Sequence, residues 1–267
     1  EVENKGVELS VNWKKQFGKD WIVDLRGNFT YNKNKYKYKD EPSYPYVWQS
    51  QTGRPIGAVV GYLADGLFES EEEIAHWADQ SMLGKCRPGD IKYRDVNGDS
   101  YITEEDKVIL EPNGNTPAIQ YGFGINISYK KWDFGAFFNG SAQRNVMLSN
   151  IQPFLTSGQG VTSSVPQWIA DDHWSVDNPN PNARFPRLGV NESDVKQNMV
   201  PSSFWLVNRN FLRFKTLEIG YNFPHCRVYF TGDNLAVFSP FKEWDPELSW
   251  TTYPLSRTFN IGVQLNF

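Results

Sequence analysis

Between Asp95 and Asp106 the sequence reads D-V-N-G-D-S-Y-I-T-E-E-D, and its oxygen-bearing residues recur at a spacing that suits a cation. Asp95, Asn97, Asp99, the carbonyl of Tyr101 and Asp106 occupy positions 1, 3, 5, 7 and 12 of an EF-hand-like loop, a set of hard oxygens expected to take Ca2+. Two residues depart from that pattern. Ser100 stands at position 6 where glycine eases the turn, and Asp106 stands at position 12 where the longer Glu binds through both oxygens. The competing use of the same residues is an Asx-rich turn that satisfies its own backbone.

Enzyme chemistry has less support. His76, His173 and His225 are scattered, and there is no nucleophile elbow, H-E-x-x-H pair or phosphate-cradling glycine loop. Asp171-Asp172 and Glu104-Glu105 are carboxylate pairs of the type a glycosidase uses, but such neighbours are commonly solvated loop charges. The chain is therefore read as no enzyme, with no catalytic residue and no cofactor beyond the loop Ca2+. Trp48, Trp77, Trp168, Trp174, Trp205, Trp244 and Trp250 fall between the strand patterns, where they serve as stacking platforms for sugar rings, as a docking surface, or as loop packing. No substrate-contacting residue is singled out.

The elements that must position these loops are strands. Gly6 to Phe17 alternates Val7, Leu9, Val11 and Trp13 with polar residues, and after the turn Gly18-Lys19-Asp20 the alternation resumes over 21–31. Further strands are expected at 119–129, 132–140, 209–223, 227–235 and 257–267. In 209–223 the parity changes near Lys215-Thr216, as a β-bulge would cause. The long intervening segments are 32–117, 141–208 and 236–256, with one short helix expected over Glu71 to Asp79 behind Ser70 as N-cap. In the last strand Phe259, Ile261, Val263, Leu265 and Phe267 take alternate positions, with Asn260, Gly262, Gln264 and Asn266 between them.

With 267 residues, 15% of them aromatic, and a net charge of −4, the composition makes nucleic acid an unexpected partner. Mean hydropathy is −0.56 and no apolar run approaches the roughly 18 residues of a transmembrane helix. Barrel strands escape that test, because half of each strand is polar. Tryptophan and tyrosine at the two ends of the apolar alternation suit a membrane interface, where a ring is apolar and its N–H or O–H stays wet. Short turns alternate with long segments throughout, matching the short periplasmic turns and long external loops of outer-membrane barrels. The expected fold is therefore all-β: an antiparallel transmembrane β-barrel segment of about seven to eight strands with long extracellular loops. Unpaired edges are not solvated in lipid, so the remaining strands must be supplied from elsewhere. On this topology Cys86 and Cys226 are separated by an apolar band of about 25 Å and form no disulfide.

Several stretches carry a family resemblance: E-N-K-G-V-E-L-S-V-N-W, G-Y-L-A-D-G-L-F-E-S at 61–70, P-G-D-I-K-Y-R-D-V-N-G-D-S-Y-I-T-E-E-D at 88–106, N-F-L-R-F-K-T-L-E-I-G-Y-N-F-P at 210–224, R-V-Y-F-T-G-D-N-L at 227–235 and Y-P-L-S-R-T-F-N-I-G-V-Q-L-N-F at 253–267. Together, in order and over the whole chain, they resemble the carboxy-terminal region of SusC/RagA-type TonB-dependent transporters. The resemblance implies a barrel of about 22 strands with an internal plug and a TonB box, of which this chain supplies the last part without plug or TonB box. It also implies placement in the outer membrane of a Gram-negative bacterium of Bacteroidetes type, amid outer-membrane lipids. The implied partners are a SusD-like surface lipoprotein lid and the TonB complex, and the implied activity is energised import of oligosaccharides or peptides. The opening residues, without a start methionine or signal peptide, are expected to follow a missing amino-terminal part. Phe259, Ile261, Val263, Leu265 and Phe267 are expected to form the carboxy-terminal insertion signal. The runner-up is a secreted or surface β-rich glycan-binding module without transport, and a glycan-cleaving enzyme comes third.

Overall fold

The computed structural model describes residues 1–114, 116–148, 165–190, 192–248 and 252–265. In chain order its strands are β1 Val2–Phe17, β2 Trp21–Tyr36, β3 Val59–Gly61, β4 Ala64–Leu67, β5 Ile91–Tyr93, β6 Val108–Glu111, β7 Ile119–Tyr129, β8 Trp132–Ala142, β9 Asn145–Met147, β10 Leu206–Asn208, β11 Phe211–Asn222, β12 Cys226–Phe238 and β13 Thr258–Leu265. Helix α1 spans Glu71–His76 and α2 spans Gln167–Ala170. The backbone forms two compact units. The sheet unit comprises Glu3–Asn34, Asn115–Asn145 and Asn208–Phe267, and the loop unit comprises Glu1–Val2, Lys35–Gly114 and Val146–Val207. No helix among the described residues is long and apolar enough to cross a membrane, which says nothing of crossing by strands.

The sheet unit is a single seven-stranded antiparallel sheet in the order β1-β2-β7-β8-β11-β12-β13. The all-β antiparallel expectation is thus the observed architecture. Every strand of this sheet lies beside the previous sheet strand of the chain, with short turns joining β1 to β2, β7 to β8 and β11 to β12 and long segments joining the other pairs. Period-two alternation then sorts whole rows of residues onto one face. One row runs Leu25, Ile125, Ala136, Leu217, Gly232 and Phe259, each the register partner of the next. The adjacent polar row runs Asp24, Asn126, Gly135, Glu218, Thr231 and Asn260. The register shifts between Phe214 and Thr216, so Lys215 is the bulge that the change of parity signals. Some strands outrun their apolar alternation: β2 continues past Tyr31 to Tyr36 through N-K-N-K, and β12 continues to Phe238. Backbone pairing carries these extensions after the side-chain pattern has ended.

The loop unit builds its own core. Tyr62, Leu67, Phe68, Ile91, Tyr93, Ile169, Phe185 and Trp205 are buried, and short ladders join β3 to β6, β4 to β5 and β9 to β10. Helix α1 starts where Ser70 accepts the Glu73 N–H at 3.1 Å, and three glutamates in its first turn favour that end of the helix dipole. It ends at His76, short of the expected Asp79, because Asp79 instead bridges to Tyr101. Near the middle of the unit, Asp90 is fully buried and takes hydrogen bonds from Arg187, Gln197, Asn198 and the Arg87 N–H. A buried carboxylate is tolerated only when its lone pairs are filled in this way. Burial still holds the Asp90 carboxyl above its ordinary range against the adjacent Arg187 guanidinium.

Candidate functional site

The sheet presents two chemically distinct faces. On one, Val7, Leu9, Val11, Trp13, Phe123, Phe134, Ile219, Phe259, Ile261 and Val263 all stand exposed, with Ile261 80% accessible. An apolar surface this continuous is far beyond the scattered exposure of a water-soluble domain. Its turn end carries an aromatic row: Trp21 packs on Tyr129 with ring centroids 4.2 Å apart, and Trp132 meets Tyr221 edge-on at 4.8 Å. Nearer the other end, Phe138 stacks between Phe123 at 5.1 Å and Phe214 at 4.5 Å. Aromatic rings flanking an apolar band are the signature of a membrane-embedded sheet.

The opposite face is polar and ion-paired. Asp133 on β8 reaches Arg227 on β12 across Gly220 on β11, and Arg227 also pairs with Glu218 at 2.5 Å. A Cβ at Gly220 would sit on Asp133 Oδ2, so the bare glycine is what lets this pair span a strand. Arg26 lies over the Phe137 ring at 5.3 Å and, with Asn126, Ser128, Asp133 and Glu218, lines a cavity of about 260 Å3. Arg213 has no exposed surface; its Nη2 donates to both oxygens of Asp245 at 2.8 Å, and Arg209 donates to the carbonyls of Asp245 and Leu248. These bonds fix the segment after β12, and none of these arginines stands out in the sequence.

The loop unit holds a cavity of about 590 Å3 lined by Tyr36, Tyr44, Trp48, Gln51, Arg54 and Glu104 among others. Trp48 stacks on Tyr46 at 4.5 Å and 10°, and its Nε1 donates to the Glu105 carbonyl at 2.8 Å. Rings beside amide and charged groups suit a polar, multi-hydroxyl or peptide ligand. Among the tryptophans considered from sequence, Trp48 lines this cavity, whereas Trp174 and Trp205 are buried and Trp77 donates to the Tyr93 carbonyl at 2.7 Å. Trp168 packs on Phe185 at 5.2 Å, Trp244 donates to the Thr252 carbonyl at 3.1 Å, and Trp250 lies outside the described residues. Loop packing is therefore the use most of these rings have. Tyr36 and Tyr44 are cavity residues that sequence reasoning did not single out; the local cue was the K-Y-K-Y-K run and the P-S-Y-P-Y stretch that follows it.

The Asp95–Asp106 loop closes mainly on its own backbone. Asp95 accepts the N–H groups of Gly98 at 2.6 Å and Ser100 at 2.7 Å, while Asn97 accepts from Asp99 and Asp99 from Tyr101. Asp106 is buried and accepts from Val96 at 2.8 Å and Thr103 at 2.7 Å. Ser100 takes the left-handed backbone, φ 70°, that glycine would adopt without strain. Each carboxylate proposed for Ca2+ therefore has a competing use. Among the described residues no group of three or more His, Cys, Asp or Glu gathers as a metal site. His76 and His173 each bond a helical carbonyl at 2.8 Å, and Asp172 accepts the Arg184 N–H at 3.1 Å. Cys86 and Cys226 are free thiols, and burial pushes the Cys86 thiol up to about 11.

In β13, Phe259, Ile261, Val263 and Leu265 all point to the apolar face and pair with Gly232, Phe230, Val228 and Cys226 of β12. Phe267 lies outside the described residues.

No family model matches the chain. It is 28% identical to the TonB-dependent receptor P3 of Formosa agariphila over 100% of its own length and 29% of the receptor's. To the TonB-dependent receptor SusC of Bacteroides thetaiotaomicron it is 27% identical, over 100% of its own length and 26% of SusC. The RagAB peptide importer in its closed-closed state has the same fold, with a TM-score of 0.69 at 21% identity, over 100% of this chain and 30% of that one. The chain thus spans less than a third of the length of the relatives it matches. By both measures this chain is homologous to the C-terminal part, about 30%, of SusC/RagA-type TonB-dependent receptors, a non-enzymatic transporter family of the outer membrane.

Proposed function

We propose that this chain is part of the wall and external loops of an outer-membrane active importer, energised through TonB and covered by a SusD-like lipoprotein lid. The observation that carries this reading is the seven-stranded sheet, apolar and exposed on one face and ion-paired on the other. Its apolar face meets lipid, and its polar face looks into the lumen towards the plug. The remaining strands close against the free edges of β1 and β13, since open edges are not tolerated in hydrocarbon. Segments 32–117, 141–208 and 236–256 then form the extracellular loops, and the apolar row of β13 serves as an insertion signal.

The cargo in this reading is an oligosaccharide or a peptide. Support for a ligand of either class comes from the loop-unit cavity, where Tyr36, Tyr44 and Trp48 offer ring faces beside Gln51, Arg54 and Glu104. Solved RagAB is a peptide importer, which favours peptide as the first class to try. The test is deletion of the full-length gene in the source bacterium, followed by growth on defined oligosaccharide and peptide nutrients and purification of the tagged protein. Loss of growth on one nutrient class, with a lipoprotein co-purifying, is expected. Unchanged growth on every nutrient, with no associated lipoprotein, would contradict the proposal.

A further inference from the structure

The turn end of the sheet is basic as well as aromatic. Lys19 lies in the β1–β2 turn, Lys130 and Lys131 form the β7–β8 turn, and Lys15 shares the outward face of β1 with Trp13 and Phe17. The turns abut: the Lys130 N–H donates to the Asp20 carbonyl at 3.0 Å, and the Asn222 N–H donates to the Lys131 carbonyl at 2.7 Å. The four lysines therefore lie along one end of the sheet, on β1 and in two abutting turns. Lys15 Nζ sits over the Phe17 ring at 5.1 Å, and Lys130 Nζ sits over the Tyr129 ring at 5.2 Å. Among the described residues none of these four lysines is ion-paired. Of the nearby carboxylates, Asp133 is committed to Arg227. Just inside the rim on the apolar face, a groove of about 820 Å3 is lined by Trp132, Ile219, Tyr221, Phe223, Val228 and Ile261.

A headgroup cation site that opens directly into an apolar groove matches an amphiphile with an anionic head. We propose that this rim and groove seat an anionic phospholipid of the leaflet at the short-turn side, its phosphate among Lys15, Lys19, Lys130 and Lys131 and an acyl chain in the groove. The inference rests on the membrane reading above, in which the apolar face meets lipid. Charge selects the lipid class: each lysine near the headgroup layer favours an anionic over a zwitterionic lipid roughly fivefold. Lys15 and Lys130 hold their ammoniums over rim rings, and long flexible stems let such groups reach a headgroup while their carbons stay on apolar surface.

The test uses the purified full-length protein in vesicles of equal phosphatidylglycerol and phosphatidylcholine, re-extracted in mild detergent, with the retained lipid quantified. The retained ratio of phosphatidylglycerol to phosphatidylcholine is expected to exceed that of the vesicles severalfold, and to fall to the vesicle ratio in K15Q/K19Q/K130Q/K131Q. The charge-keeping K15R/K19R/K130R/K131R and the far-end K33Q/K35Q should both keep the enrichment. Heat-dependent gel migration reports that each variant is folded, and rising salt should erase the wild-type enrichment without any mutation. Wild-type lipid matching the vesicle composition would overturn the proposal, as would enrichment that survives loss of all four charges. A protein that stays in the aqueous phase and binds neither lipid would overturn the membrane reading itself, a result distinct from equal retention of both lipids.

Discussion

Arg213 shows how one side chain can hold a long segment. It is wholly buried, its Nη2 donates to both oxygens of Asp245 at 2.8 Å and its Nε lies 3.2 Å from Glu247, so truncating it leaves two carboxylates facing an emptied site. Arg213→Ala should cost about 3–5 kcal/mol, and Arg213→Lys should recover only part, because an ammonium lacks the planar fork. The check is the temperature at which the compact gel species converts to the unfolded one; an unchanged temperature would show that the pair is dispensable. Cys86 offers a pH test outside the strands. Burial raises its thiol from 9.0 to about 11, so at pH 8 it holds about 100-fold less thiolate than an unburied cysteine. Alkylation by iodoacetamide should accordingly be slow at pH 8 and climb about tenfold per pH unit towards 11. Fast labelling at pH 8 would mean the thiol is open to water. Neither residue was legible beforehand: the carboxylate partners of Arg213 lie more than thirty residues away, and nothing local marks Cys86 as shielded.

At the scale of elements, the strands were readable because the membrane-facing alternation is local and periodic. Trp21, Val23 and Leu25 alternate with Ile22, Asp24 and Arg26, and this alone fixes which way each side chain faces. Even the bulge was readable, since Phe214 and Leu217 are on opposite parities and only an extra residue reconciles them on one face. Leu25 sits in the middle row of the apolar face, so Leu25→Arg should cost about 2–4 kcal/mol in bilayer assembly. Its neighbour Asp24 faces the other way, and Asp24→Lys should assemble normally. Folding yield into vesicles distinguishes them; equal yields would mean the two faces see the same solvent. The loop unit was far less readable. Asp90 bonds Gln197 and Asn198 across more than a hundred residues, and β3 to β6 are three- or four-residue ladders with no room for periodicity. Its cavity draws Tyr36 from the end of β2 and Glu104 from a distant turn, so no stretch of sequence contains it. The Asp95–Asp106 spacing was visible, but spacing does not reveal whether a carboxylate faces an ion or a backbone N–H.

For the whole molecule, the central claim is that the sheet lives in lipid as part of a larger closed barrel. The exposed edges of β1 and β13 and the continuous apolar face are jointly explained only by added strands and a hydrocarbon surround. A free-standing glycan-binding module would instead have to cover that face with protein. The most direct measurement is made on the native full-length protein: fractionate cells, extract the membranes, and compare boiled and unboiled samples on detergent gels. Recovery only with detergent, a mass several-fold above the 30.7 kDa of this chain and migration that changes on boiling are predicted. A protein recovered in aqueous buffer whose migration is indifferent to heat would contradict the claim.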